Sequence, residues 1–261
     1  MQVQTADEVW SRIAERAAAS GAAGAGVVAS DGDGTLWSGD VGEDLFHAFI
    51  ERGAFHEPGL EAMRREARDH GLCDAGTGPD VARRIHAAYL EGRFPEETVC
   101  ELMAWCFAGW TRDQVAAFAQ DTVERAGLDA RMHPEVRVVL DRARRAGLPV
   151  VLVSASPLAV VKAAGARAGF EEAQIVAARS RFEGDVMRAE VERPIPYGAG
   201  KVSRLREHIG AGRPLLAAFG DNAFDVDLLA SAQIGVAVRP KPRLRQRADE
   251  VPGLVELSPD C

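Results

Sequence analysis

Apolar positions recur along this chain in two rhythms, and the switches between them divide it into three stretches. Thr5 and Glu8 make a T-x-x-E capping box, which opens a helix running to about Ala19. The small residues of AAASGAAGAG, 17–26, read as a connector. The apolar run Val27-Val28-Ala29 is too short for a helix and is bounded by glycine and aspartate, so it predicts a buried strand over 27–30. From about 40 to 127 the rhythm is helical throughout. EDLFHAFIERG, EAMRREARDHG, DVARRIHAAYLEG, EETVCELMAWCFAG and RDQVAAFAQDTVERAG each carry apolar residues at helical spacing and end near a glycine.

From 133 helices and short apolar runs alternate. PEVRVVLDRARRAG, PLAVVKAAGARAG, GKVSRLREHIG and AFDVDLLASA read as helices, and LPVVLVSA, AQIVAAR, PLLAAFG and IGVAV as strands. RFEGDVMRAEV reads as a hairpin turning at Glu183-Gly184. Strands alternating with helices predict a parallel sheet covered on both faces. The expected fold is α/β: a Rossmann-like doubly wound parallel sheet core, 1–39 and 128–261, with an all-helical domain, 40–127, inserted after the first strand. Ligands of open parallel sheets gather at the carboxyl ends of the strands. That singles out Asp31 to Thr35, Ser154 to Ser156, the loop before Lys201, and Gly220 to Asp225.

Composition narrows the partners. The 261 residues are 47% hydrophobic, enough for a full core, and carry a formal net charge of −8. An acidic chain lacks the basic stripe that binds nucleic acid, although a local cation could still hold a small phosphorylated substrate. No apolar run reaches the ~18 residues of a membrane span. The start, MQVQTADEVWSRIAER, lacks the basic and apolar regions of a secretory signal. Cys73, Cys100, Cys106 and Cys261 form no CxxC pair and read as reduced thiols, so the expected location is cytoplasmic. The oligomeric state is left open.

The polar strand ends carry the candidate chemistry. Asp31 follows its strand directly, so its carboxylate can face the crevice, attack phosphorus and form an acyl phosphate. Asp33 sits where it can protonate a leaving oxygen and later deprotonate water. Gly34 and the flanking backbone let amide N–H groups approach a phosphate, although D-G is also ordinary turn chemistry. Asp221 and Asp225 bracket a turn. Such an oxygen-only cluster suits magnesium, unless Asp221 or Asn222 merely caps a helix at Ala223. Ser156-Pro157 reads as an N-cap and first helical residue, which leaves Ser154 free to donate to a phosphate at the helix N-terminus. Lys201 opens a helix, where a cation is disfavoured; either an anion lies nearby or the lysine is solvated.

In order and spacing, Asp-x-Asp-x-Thr, then Ser154, Lys201 and Gly-Asp-x-x-x-Asp resemble the four-motif signature of the haloacid dehalogenase superfamily, over about 26–240. The resemblance implies that Asp31 is the nucleophile and Asp33 the general acid/base. It implies that Ser154 and Lys201 orient and neutralise the phosphoryl group. Asp31, the Asp33 carbonyl and Asp221 would hold Mg2+, with Asp225 in support. Gly34, Thr35, Asp40 and Ala155 are the expected substrate contacts. Dehalogenases of the family lack the second aspartate, so Asp33 favours phosphoryl transfer. P-type ATPases share the first motif but need membrane helices.

The helical insertion looks like the cap of the phosphoserine-phosphatase-like branch. There an acid nine residues after the nucleophile holds the substrate's amino group; that position is Asp40, one carbon shorter than the usual Glu and equally suited to cap the next helix. Ala155-Ser156 replaces a pair of glycines, and Phe224 stands where Asn is common. The expected substrate is a small phosphorylated metabolite, and an amine-bearing one such as phosphoserine, histidinol phosphate or phosphocholine would use Asp40, Glu43 or Asp44. Arg64, Arg65, Arg68, Arg83 and Arg84 read as solvated helix faces, and Trp105, Phe107, Trp110 and Phe118 as core of the insertion. The alternative to a phosphomonoesterase is a slow phosphoacceptor or regulatory protein. A large cap that sheds water and a general base both favour turnover.

Overall fold

The computed structural model describes residues 1–20 and 26–259, so residues 21–25 of the glycine-alanine connector, and Cys261, lie outside the described residues. The chain opens with a three-residue strand, β1 (Gln2–Gln4), ahead of the predicted helix α1 (Ala6–Ala19). The capping box forms: the Thr5 N–H donates to the Glu8 carboxylate at 2.8 Å, and the Glu8 N–H to the Thr5 hydroxyl. The predicted first strand is thus the second, β2 (Val27–Ser30).

Five helices follow, all within the predicted helical stretch: α2 (Val41–Arg52), α3 (Glu57–Asp69), α4 (Gly78–Leu90), α5 (Glu96–Trp105) and α6 (Arg112–Arg125). The chain then alternates through α7 (Pro134–Arg145), β3 (Val150–Pro157), α8 (Leu158–Arg167) and β4 (Ile175–Ala178). A hairpin, β5 (Ser180–Glu183) and β6 (Val186–Val191), precedes α9 (Ala199–Ile209), β7 (Leu215–Gly220), α10 (Val226–Ala230), β8 (Ile234–Val238), α11 (Pro242–Gln246) and β9 (Val255–Leu257). The hairpin turns one residue later than predicted, with Gly184 in the left-handed region at φ 59°. The helix expected from Ala223 is broken: a 3-10 turn, Ala223–Asp225, comes before the short α10.

Among the described residues, seven strands pair in the order β1-β9-β8-β7-β2-β3-β4, every pair parallel. Alternation along the strands loads both faces. Val28, Val150, Leu152 and Phe219 pack in one cluster with Val9 and Ile13 of α1, Val139 of α7 and Val160 of α8. Val27, Ala29, Val151 and Val153 pack in the other with Leu205 of α9, Leu228 of α10 and Leu244 of α11. The sheet is therefore doubly wound, and chain order reverses at β2, flanked by β7 and β3.

The inserted helices close over an aromatic cluster of Phe49, Phe107, Trp110 and Phe118, with ring centroids 4.3–6.4 Å apart. Arg64 and Arg68 pair with Glu61 and Asp74 at the surface, as expected of solvated faces. The hairpin packs on α3 and α5: the Gly109 N–H donates to the Met187 carbonyl and the Met187 N–H to that of Trp110, each at 2.9 Å. No described helix is long and apolar enough to cross a membrane.

Candidate active site

Strand register brings the carboxylates together. The Asp31 N–H continues the β2–β7 ladder by donating to the Phe219 carbonyl at 2.9 Å, so Asp31 leaves the sheet beside Asp221 at the end of β7. Carboxylate oxygens of Asp31, Asp221 and Asp225 lie within 4.8 Å of one another, and all three residues are buried. Asp225 is fixed by its own loop: Oδ2 accepts the N–H groups of Asp221 and Asn222 at 3.1 and 3.0 Å. Asn222 caps Ala223, so the capping alternative holds for Asn222 and leaves Asp221 to the cluster.

Lys201 is neither solvated nor exposed. Its Nζ lies 2.6 Å from Asp31 Oδ1 and also pairs with Asp225 Oδ1, its side chain 0% accessible. Burial works against its charge, but Asp225 and Asp31 outweigh that and raise its pKa above the ordinary lysine value. Phe224, the departure in the last motif, lays its ring 4.8 Å from Lys201 Nζ and packs on Tyr197. Burial pushes the Asp31 pKa up; Lys201 draws it down, and Asp225, Asp221 and Asp33 push it up again. Asp221 is pushed up to about 6, first by burial and then by Asp225. Three carboxylates thus share a space with one fully buried ammonium, Lys201, and a half-exposed one, Lys241, beside Asp221. The donor set is all oxygen and fits a hard divalent cation.

Asp33 projects to the other side. Its Oδ1 accepts the Trp37 indole N–H at 2.8 Å and the Val41 N–H at 2.7 Å. Its Oδ2 accepts the Ser156 hydroxyl at 2.8 Å and the Ser154 hydroxyl at 3.3 Å. This corrects the expected cap: α8 begins at Leu158 with Pro157 at its N-cap, because β3 runs on through Ser156, whose hydroxyl is spent on Asp33. Ser154 also accepts the Ser156 N–H at 3.0 Å, and Ala155 lies buried between the two serines.

Thr35 braces Asp31, its hydroxyl 3.2 Å from Asp31 Oδ2 and 3.4 Å from Asp221 Oδ1. The Gly34 N–H is engaged by the carbonyls of Trp37 and Gly39. What Gly34 supplies is clearance: at φ +78°, a Cβ there would sit 2.2 Å from Asp221 Oδ2. Of the three acids at the start of α2, Asp44 turns away to Arg131 Nη1 at 2.5 Å. Glu43 approaches His86 Nε2 at 3.9 Å. Asp40 does cap α2, accepting the Glu43 N–H at 2.8 Å, yet burial and then the Asp33 charge push its pKa well up. The capping role and the inward position coexist.

Two contributors escape motif reading. Gly42 lets the first turn of α2 rest on β3, since a Cβ there would meet Ser156 Oγ at 2.8 Å. Lys241, between two prolines after β8, places Nζ 2.9 Å from Asp221 Oδ2. Only the strand-end rule points to that loop, and it names no residue in it.

A model of the haloacid dehalogenase-like hydrolases matches residues 28–230, which takes in every strand-end motif of the site. The chain belongs to the haloacid dehalogenase-like hydrolase family. Within it, a phosphoserine phosphatase of Streptomyces coelicolor is 31% identical over 140 residues, covering 51% of this chain and 33% of that protein. The chain thus matches only about a third of that relative's length. A Bordetella pertussis Tohama I protein of unknown function has the same fold, with a TM-score of 0.67 at 20% identity over 89% of this chain and 98% of that one. A phospho-aspartyl intermediate analogue of phosphoserine phosphatase aligns with a TM-score of 0.50 at 15% identity, over 89% and 92%. The structural likenesses show a shared fold, and phosphoserine phosphatases are among the proteins to which this haloacid dehalogenase-like hydrolase is similar.

Proposed function

We propose that this hydrolase is a magnesium-dependent phosphomonoesterase that turns over a small phosphorylated metabolite through an aspartyl phosphate on Asp31. The observation that carries the reading is the separation of two carboxylate environments one residue apart. Asp31 shares a buried cluster with Lys201, Asp221 and Asp225, while Asp33 is held by two hydroxyls and two N–H groups. Asp31, the Asp33 carbonyl and Asp221, with Asp225 in support, would hold magnesium, which would supply charge neutralisation at the phosphoryl oxygens.

The chain's own groups do the rest. Asp31 attacks phosphorus with a carboxylate that Lys201 holds at Oδ1 and Thr35 at Oδ2. Lys201 and the Ser154 hydroxyl offset charge on the transferring group. Asp33 keeps Oδ1 on Trp37 and Val41 while Oδ2 faces hydroxyls that can turn from donor to acceptor. It can therefore hold a proton on Oδ2 for the leaving alkoxide and later take one from the water that hydrolyses the acyl phosphate.

Residues 40–127 act as the cap over a core of 1–39 and 128–261, with the hairpin docked on the cap side. Asp40 supports an amine-bearing substrate: a partly buried carboxylate whose pKa is raised by burial and by the Asp33 charge gains from a cation at the leaving-group end. Multiple turnover of p-nitrophenyl phosphate that requires Mg2+, stops on chelation and is lost in Asp31→Asn with unchanged circular dichroism is the expected result. Native-level turnover in Asp31→Asn would remove the mechanism.

A further inference from the structure

Lys241 sits in the site without belonging to any of its motifs. Besides the 2.9 Å contact of Nζ with Asp221 Oδ2, its backbone N–H donates to the Asp221 carbonyl at 2.8 Å. Its place is fixed from the backbone. Pro240 precedes it and Pro242 follows it, and a residue before proline is confined to extended conformations; Lys241 has φ −64° and ψ 156°. Just upstream, Arg239 takes the left-handed region at φ 42°. Its guanidinium is held at 2.9 Å by Glu135, wholly buried in the first turn of α7. A non-glycine residue in that region persists only where its surroundings enforce it. The loop is therefore built to deliver an ammonium to Asp221.

The two lysines differ in what they can do next. Lys201 is sealed in, at 0% accessible, and cannot leave its carboxylates. Lys241 is 51% accessible while Asp221 is 1% accessible, so the ammonium can retreat into water and the carboxylate cannot. A divalent cation shared by Asp31, Asp221 and Asp225 needs lone pairs of the carboxylate that Lys241 holds, and two cations on one carboxylate repel each other.

We propose that Lys241 is the resident counter-ion of Asp221 and that metal binding displaces it, so that this lysine sets the metal affinity of the site. The displaced ammonium keeps partners within electrostatic reach, since Asp40 and Glu43 of α2 both feel its charge. Metal loading then transfers a positive charge from the carboxylate cluster toward the rim of the cap. The inference rests on the magnesium reading above, and its test does not use turnover.

The experiment compares the native protein with Lys241→Gln and Lys241→Arg. Thermal unfolding is followed in chelator and at saturating Mg2+, and the Mg2+ Kd is measured by calorimetry. Lys241→Gln should unfold at lower temperature than native in chelator, match native at saturating Mg2+, and bind Mg2+ about fivefold more tightly, as loss of a competing contact worth ~1 kcal/mol implies. Lys241→Arg should behave as native. An equal loss of stability with and without Mg2+ would mean that Lys241 stays on Asp221 in the loaded protein, and the displacement is wrong. Tighter binding with unchanged metal-free stability would mean repulsion at a distance, and overturns it too. If the native protein shows no response to Mg2+, the magnesium reading itself fails; if it responds and Lys241→Gln has the same Kd, only the role of Lys241 fails.

Discussion

The two sides of the site are built to different standards. On the sheet side each carboxylate is held by groups from separate segments: Asp31 by Lys201 and Thr35, Asp225 by Lys201 and two backbone N–H groups, Asp33 by four donors. On the cap side, Asp44 turns away to Arg131, and the other two acids at the start of α2 have contacts that are local or weak. Asp40 caps its own helix, and Glu43 reaches His86 only at 3.9 Å. Crossed restraints from rigid strands hold reacting groups to the tolerance chemistry needs. Single contacts on a helix end leave room to adapt to a leaving group. The difference teaches that reaction type and substrate choice are separable here, and substitutions on the two sides should fail in different ways.

After the loss expected of Asp31→Asn, the largest effect should come from Asp33→Asn, which keeps the acceptor for Trp37 and Val41 but cannot carry the proton. Turnover should fall by ~10²–10⁴-fold with Mg2+ affinity retained, since in the proposed mechanism residue 33 would offer the metal only its backbone carbonyl. Calorimetry beside steady-state kinetics checks both; full activity would reassign the acid/base. Next comes Gly34→Ala, which tests the rigidity of the sheet side. A methyl group 2.2 Å from Asp221 Oδ2 at φ +78° should cost ~1–3 kcal/mol of stability and weaken Mg2+ binding, read by denaturant unfolding and calorimetry. Tolerance of that methyl would mean the carboxylate cluster is looser than drawn. The smallest effect belongs to the cap side. Asp40→Asn should lower the preference in kcat/KM for amine-bearing over sugar phosphates by about tenfold, while p-nitrophenyl phosphate is hydrolysed nearly as before. If sugar phosphates are the better substrates of the native protein, the amine reading is wrong although the phosphatase reading survives.

The same contrast explains what could be read from the sequence. The central strands are continuous apolar runs because both faces are covered, and each delivers its polar residue at a predictable end, so Asp31, Ser154, Asp221 and Asp225 were legible. β1 and β9 were not: each is three residues long and paired only with distant chain, a contact no local pattern encodes. Ser156 was misread because Ser-Pro is sound capping chemistry; only the length of β3 and the approach of Asp33 from another strand send its hydroxyl elsewhere. Lys241 lies in a Pro-Lys-Pro stretch that looks like a plain turn. Its meaning comes from Glu135 and Asp221, far away in sequence. Asp40 shows the limit of choosing between readings, since one carboxylate both caps a helix and faces the site.

The central claim is that the phosphoryl group passes through Asp31. The direct measurement mixes the protein with Mg2+ and p-nitrophenyl phosphate, quenches in acid within a turnover, and locates any added mass by peptide mapping. One phosphoryl group on the Asp31 peptide, absent in Asp31→Asn and accumulating in Asp33→Asn because hydrolysis of the acyl phosphate is slowed, is the predicted result. Multiple turnover in the native protein with no phosphoryl group on Asp31 at any quench time, or with the group on another residue, would contradict it.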